Sequence, residues 1–359
     1  NTYTWTQDDT GPTMTITSDT VASGATTATA AVVLIYTSNE VTTDFELTDI
    51  TVTGCTNAAF TGSSAVYGST CTVTADSTPT VLVAAGAFND ATGNDNSVSN
   101  TYTWTQDDTG PTMTITSDTV ASGATTATAA VVLIYTSNEV TTDFELSDIT
   151  VTDCTNAAFT GSSTVYGSTC TEDSNGVTPT VLVAAGAFSD ALSNTNSVSN
   201  TYTWTYDTTA PTIGITIVAA DNYVNEDEYD TNGFDVVGSV SGANGETVTV
   251  DYGGASATCT AASGAFTCTF TAAVLAASNS GSGVSDSSSP GVTVTANVDD
   301  AAGNSATQAS TSVTQDTADP TMTITSATVA SGATTTTAAI VMTFTSNEAT
   351  SDFAQADIT

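Results

Sequence analysis

The chain has 359 residues, and its 38 acidic side chains face no lysine, arginine or histidine, for a formal charge of −38 at pH 7. Intramolecular salt bridges are therefore excluded, and so are nucleic acid and membrane insertion, because counterion release from phosphates needs a basic patch and no apolar run is long enough to cross a bilayer. The usual activators of Ser or Cys nucleophiles and the cationic clamps of phosphoryl transfer are also missing, so no enzymatic activity is expected.

In chain order, residues 1–7 (NTYTWTQ) repeat residues 100–106 letter for letter and read as the last strand of a preceding domain. Four seams follow, DDTGP, DDTGP, DTTAP and DTADP, ending at Pro12, Pro111, Pro211 and Pro320. They set domain boundaries at 8–106, 107–206, 207–315 and 316–359. The first two domains are near copies that differ mainly where TVTADST (72–78) becomes TEDSNGVT (171–178). The third is diverged, and the fourth stops at Thr359, which corresponds to Thr51 of the first. Both ends cut through domains, as expected of a window on a longer array.

Within 8–106 the period is two, with β-branched and aromatic enrichment, and no convincing helical window. Seven strands are expected, in PTMTIT, AAVVLIYT, DITVTGC, AAFTG, VYGSTCTV, TPTVLVAAG and SVSNTYTW. The expected core is Ile16, Val33, Ile35, Phe45, Ile50, Val52, Val81, Val83, Tyr102 and Trp104. The fold class is all-β, tandem immunoglobulin-like β-sandwich domains in an extended rod.

The six cysteines fall as close pairs, Cys55 with Cys71, Cys154 with Cys170 and Cys259 with Cys268. Their spacing predicts three local disulfides, each worth roughly 3 kcal/mol, and an oxidising, extracellular or cell-surface setting. No Asn-x-Ser/Thr sequon is present.

The segments TSNEVTTDFELTDITVTG (37–54) and VLVAAGAFNDATGN (81–94), with the seam that follows, resemble the bacterial Ig-like repeats of giant surface adhesins and biofilm-associated proteins. DNYVNEDE (221–228), GETVTVDYGG (245–254) and VDDAAGNSAT (298–307) resemble a sister repeat of the same proteins. The resemblance covers essentially the whole chain and implies a surface or secreted rod, often stiffened by calcium at its joints.

In such a sandwich the incoming linker, the loop after the second strand and the loop before the last strand gather at one end. For the first domain these carry Asp8 and Asp9, then Asn39, Glu40 and Asp44, then Asp90, Asn94 and Asp95. The metal-ligand set expected for Ca²⁺ is Asp9, Glu40 and Asp90 in the first domain and Asp108, Glu139 and Asp190 in the second. In the third it is Asp207, Asp221, Asn225, Glu226 and Asp300, with Glu228, Asp299 and Asn304 close by, the densest group of the chain. Hard oxygen donors of this kind suit Ca²⁺, and a cation would relieve a repulsion that no side chain here can relieve. The plain alternative is that these are turn residues bonding their own backbone.

The expected function is therefore structural and adhesive: a segment of a long extracellular rod or filament, its partners being neighbouring copies or further repeats. The alternative is a module of a surface adhesin that binds surface glycans or proteins, for which Tyr67, Tyr166, Tyr223 and Tyr229 are the candidate stacking rings. The near identity of the first two domains favours spacers over recognition domains. The Thr-x-Thr ladders are read as ordinary half-exposed strand faces rather than an ice-binding surface.

Overall fold

A computed structural model describes residues 1–277, 291–350 and 352–359. The chain divides into two compact units, Asn1–Ala124 with Thr128–Tyr206, and Thr125–Ala127 with Asp207–Thr359. The first unit contains two separate apolar cores, one built from Met14 to Trp104 and one from Met113 to Trp204.

The first core lies between two antiparallel sheets. One is ordered β1 (Met14–Thr17), β3 (Ala31–Thr42), β5 (Thr56–Thr72). The other is β4 (Ile50–Thr53), β6 (Thr80–Val83), β7 (Tyr102–Thr103). A short parallel pair, β2 (Thr26–Thr27) with β8 (Thr105–Gln106), closes the edge. The arrangement is an immunoglobulin-like sandwich.

Burial along β3 alternates, with Val32, Leu34 and Tyr36 fully buried while Val33 is 47 % exposed. The expected inward placement of Val33 and Ile35 is thus one residue out of phase. An uninterrupted apolar run carries no period-two signal, and a shift of one residue moves every side chain to the other face. The pairing decides it: Val32 faces Cys71 and Tyr36 faces Tyr67 across the β3–β5 ladder.

AAFTG and VYGSTCTV, expected as two strands, belong to the single element β5. Seventeen extended residues would span about 55 Å, yet the Cα atoms of Cys55 and Cys71 at its ends lie 5.6 Å apart. The strand therefore turns back on itself at Gly62 (φ +115°) and Ser64 (φ +71°). A Cβ on Gly62 would lie 2.4 Å from the Val66 carbonyl oxygen, so the turn requires glycine. The disulfide closes the base of this hairpin, and Phe60 stacks on Tyr67 near its tip at 5.7 Å.

The second domain repeats the plan. Its sheets are β9 (Met113–Thr116), β11 (Ala130–Thr141), β13 (Cys154–Glu172) and β12 (Ile149–Thr152), β14 (Thr180–Val183), β15 (Tyr202–Thr203). The short strands β10 (Thr125–Thr126) and β16 (Thr205–Tyr206) complete it, and Cys154 is bonded to Cys170.

The second unit has a larger sandwich. One sheet is β17 (Thr212–Val218), β19 (Phe234–Ser241), β22 (Ala265–Phe270). The other runs β18 (Tyr223–Asn225), β24 (Ala309–Asp316), β23 (Val292–Val298), β20 (Thr247–Tyr252), β21 (Ala255–Thr260). The Cys259–Cys268 disulfide ties β21 to β22 and so joins the two sheets. All three expected disulfides are present, and no cysteine among the described residues is free.

In the third domain AAVLAA forms one short helix, α1 (Ala272–Ala277), which buries Leu275. Six residues are too few to write a helical period. β25 (Met322–Thr325) and β26 (Thr343–Ser346) pair beyond the last seam as β1 and β3 do in the first domain. No helix among the described residues is long and apolar enough to cross a membrane.

Candidate metal centres

The seam enters each of the first two domains beside two loops, and each loop supplies one carboxylate. In the first domain Asp8 of the seam, Glu40 at the end of β3 and Asp90 of the loop before the last strand place one oxygen each within 4.8 Å of one another. In the second, Asp107, Glu139 and Asp190 do the same. Oxygens bound to one Ca²⁺ at 2.3–2.6 Å lie at most about 5 Å apart, so both groups have the spacing of a shared cation. The donors are all carboxylates, with no sulfur or imidazole, which suits a hard ion.

Asp90 is 8 % exposed and the most heavily hydrogen-bonded member. Its Oδ1 accepts the backbone N–H groups of Thr92 and Asn94, both at 2.8 Å, and its Oδ2 accepts Asn94 Nδ2 at 2.8 Å. Burial pushes its pKa up, but the bonds from Asn94 and Thr92 outweigh that and hold the carboxyl at about 2. Asn94 Nδ2 also reaches the Asp8 carbonyl at 3.3 Å, so one amide ties loop to seam.

The same clamp recurs as Asn194 on Asp190 and the Asp107 carbonyl, and as Asn304 on Asp300 and the Asp207 carbonyl. Asn94 and Asn304 stood out in the sequence only as extra donors. The shared spacing in DATGN, DALSN and DAAGN was the signal for their bridging role.

Glu139 shows the cost of the arrangement. Burial first, then the charges of Asp107, Asp190 and Asp76, push its pKa up, against a hydrogen bond from Asn138 that lowers it. A bound cation would reverse that direction.

The seam member of each group is the residue four before the proline, one earlier than expected. Asp9 is exposed and outside the first group. Asp108 turns to the preceding domain, where its N–H donates to Asp76 Oδ1 at 2.8 Å, and Thr109 Oγ1 donates to Asp76 Oδ2 at 2.7 Å. Successive residues of an extended linker point to opposite sides, so two adjacent acids cannot serve one site. A side-chain hydrogen bond with Asp76 first, then lost solvation and the Asp76 and Asp107 charges, push the Asp108 carboxyl up. Asp44 and Asp95 bond Asn89 instead of joining the group.

The third domain, acidic in sequence, does not assemble the expected set in one place. Asp207 and Asp300 meet at its seam through Asn304. Ile213 pairs with Val240 as Met14 pairs with Ser38, which puts Gly242 where Glu40 stands. Asp221, Asn225 and Glu226 line a separate cleft of about 490 Å³ with Asp316, Glu348 and Asp352. There Asp319 is the main influence that pushes the Glu226 carboxyl up. Asp221 Oδ1 caps the Tyr223 N–H, and Asn225 and Glu228 bond each other's backbone.

Of the candidate stacking rings, Tyr67 and Tyr166 are buried, each bonded through its hydroxyl to Thr42 or Thr141 and packed against Phe45 or Phe144. Tyr229 packs against the third core. Tyr223, at 59 % exposed, is the ring of the four that faces solvent.

No protein-family model matches the chain, and no curated protein matches it significantly. Solved structures similar to it include a 1.5-MDa bacterial ice-binding adhesin, at 17 % identity over 87 % of this chain and 100 % of the other, with a TM-score of 0.29. InvD of Yersinia pseudotuberculosis aligns at 11 % identity over 84 % of this chain and 97 % of its own, also at 0.29. Invasin, a bacterial integrin-binding protein, aligns at 11 % over 87 % of this chain and 61 % of its own, again at 0.29.

Proposed function

We propose that the chain is a structural and adhesive segment of a long extracellular rod or filament of Ig-like repeats, held by disulfides and by Ca²⁺ at its domain seams. The domains are those of residues 8–106, 107–206 and 207–315, flanked by partial ones. The observation that most supports this reading is the recurrence of one three-carboxylate group at equivalent places in the first two domains. A chain with no cationic side chain has brought three like charges together twice, and a divalent cation is the counter-charge of that shape.

Asp8, Glu40 and Asp90 would hold one ion, and Asp107, Glu139 and Asp190 a second. The ion would supply a bond between seam and loops that resists bending. Asn94 and Asn194 already fix seam to loop, so the site would be set before binding. At the third seam, with glycine in place of the glutamate, the Asn304 clamp would act alone. Three disulfides and no free cysteine among the described residues fit an oxidising, extracellular setting.

The deciding measurement is a calorimetric melt of the disulfide-intact chain in millimolar Ca²⁺ and again in excess chelator. The expected result is a higher melting temperature for the first two domains in Ca²⁺ and a stiffer particle in small-angle scattering. Identical melts would remove calcium from the account.

A further inference from the structure

The outer face of the β1–β3–β5 sheet is an uncharged part of a polyanion. The ten acidic residues of 8–106 lie outside its strands, apart from Glu40 at the seam end of β3. Side chains alternate across a strand. Burial of Val32, Leu34 and Tyr36 therefore turns Val33, Ile35 and Thr37 outward, and burial of Tyr67, Ser69 and Cys71 does the same for Val66, Gly68 and Thr70. Thr15 and Thr17 continue the face on β1. Among the described residues no carboxylate stands on it, and Val33 and Val66 are 47 % and 53 % exposed. The second domain repeats the face with Val132, Ile134 and Thr136 on β11 and Val165, Gly167 and Thr169 on β13. In the third domain the corresponding strand β19 carries an exposed acid there, Asp235, which accepts Thr269 Oγ1 at 2.6 Å.

At the centre of the face, Gly68 stands opposite Ile35 across the ladder. The local structure does not call for glycine. Gly68 has no positive φ, and a Cβ would meet the Leu34 carbonyl oxygen at 3.5 Å and Thr61 Oγ1 at 3.6 Å, which are ordinary contact distances. Glycine inside a strand costs stability and often marks a place where another chain approaches closely. Gly167 repeats the case, with Leu133 O at 3.5 Å and Thr160 Oγ1 at 3.7 Å. Each glycine leaves a notch, with an exposed valine two residues before it on the same strand.

We propose that this face is where two copies of the chain meet side by side, the β1–β3–β5 sheet of one laid on the same sheet of the other. A two-fold axis in the interface, midway between Val66 and Gly68, exchanges the two residues, so each valine fills the other copy's notch. Charge selects the occupant. Every copy carries −38, so copies repel where carboxylates meet and close up where none stands, whereas a basic partner is drawn to the acidic seams and leaves this face bare. Strands about 4.8 Å apart, rising about 3.4 Å per residue, give each face roughly 250 Å², so one pair of faces buries roughly 500 Å² and two pairs roughly 1,000 Å², the size at which an interface becomes specific. Pairing therefore strengthens with the number of repeats engaged. The inference rests on the rod reading and goes beyond it, because it supplies sideways order to rods that the seams order only lengthwise.

The test is run in chelator on the disulfide-intact chain, so that calcium at the seams has no part in the readout. Sedimentation equilibrium is measured from about 0.01 M to about 1 M salt, over which the screening length falls from about 30 Å to about 3 Å. Species in multiples of 35.9 kDa should grow in as salt rises, the reverse of association by opposite charges. Val33→Asp with Val132→Asp sets a carboxylate on each face at an exposed position and should weaken association tenfold or more. Gly68→Ala with Gly167→Ala should raise the melting temperature, because alanine fits both strands better than glycine, and yet weaken association severalfold by filling the notches. A monomer at every salt and concentration would overturn the proposal, as would association that is unchanged in either variant. A lower melting temperature in the alanine variant would show that the fold itself needs these glycines, and would overturn it too. None of these substitutions touches a seam carboxylate, so the calcium melt stands or fails separately.

Discussion

The first and second domains are near copies, yet they part at one interior contact. Val73, buried at the end of the β5 hairpin, is replaced by Glu172, and the turn that follows gains one residue. Glu172 Oε1 accepts Trp204 Nε1–H at 2.7 Å. In the first domain Trp104 Nε1 has no partner among the described residues, nor has either end of the Gln106 amide, although Gln106 is 1 % exposed. The seam groups are unchanged across the same pair. The three seam carboxylates and the asparagine clamp are thus kept, although the loop around them changes from NDATGND (89–95) to SDALSNT (189–195), while the turn beyond the hairpin leaves the indole unpartnered in one domain and bonded in the other.

The largest expected effect tests whether the two hairpins are equivalent supports. Replacing Cys55 and Cys71 by Ser should lower the stability of the first domain by roughly 3 kcal/mol, and the pair Cys154 and Cys170 should cost the second the same, since both loops span 16 residues. Calorimetry resolves the two transitions. Unequal losses would mean that the Glu172 contact shares the load in the second domain.

Glu172→Val sharpens the comparison next, because it gives the second domain the first domain's residue. A hydrogen bond to a charged group is worth about 1.5–3 kcal/mol, so the second domain should lose that much in a denaturant melt, while Glu172→Gln, which keeps a neutral acceptor, should lose about half as much. A neutral Glu172→Val would show that the buried, unpaired Oε2 of Glu172 already offsets the bond.

The difference between these domains was readable in the sequence as TVTADST against TEDSNGVT, but its consequence was not. Nothing in one sequence says that position 172 faces the indole of residue 204. The fold was legible because Cys pairs, seams and alternating runs recur at a fixed distance. The phase of β3 was not, since AAVVLIYT is apolar throughout and only its partners at Cys71 and Tyr67 choose a face. The seam groups were legible to within one residue. Loop gathering at one end of a sandwich named Glu40 and Asp90, but choosing Asp8 over Asp9 needs the direction of a side chain on an irregular linker. Acid count misled in the third domain, where ten residues of loop hold many carboxylates but Gly242 leaves the seam one short.

That contrast predicts unequal metal binding along the chain. Titration calorimetry should find one Ca²⁺ for each of the first two domains. Glu40→Gln and Glu139→Gln should each remove one ion without affecting the other, and weaken the remaining carboxylate pair by tenfold or more. Equal binding at the third seam would break the link between the missing glutamate and the missing group. The Asn94 and Asn194 clamps should survive both substitutions, as neither glutamate holds them.

The smallest effect is the pH response of a seam, where two carboxylates of one kind of group pull in opposite directions. Asp90 is held at about 2 in the fold against an ordinary value near 3.9, so its contribution is complete above about pH 4 and is lost as pH falls from there towards 2. Glu139 is pushed up, so the folded state takes up its proton first on acidification. Its ionised form opposes folding, and that opposition is relieved as pH falls through its raised value. In chelator, the second domain should therefore gain slightly in melting temperature between pH 7 and 5. Overall charge reduction pushes the same way, and Glu139→Gln separates the two, because only the part that belongs to Glu139 disappears in the variant. Millimolar Ca²⁺ should abolish that same part by doing the proton's work at neutral pH. If the variant and the parent rise together, the crowding of Asp107, Glu139 and Asp190 carries no energetic weight, and with it goes the electrostatic argument for an ion at that seam.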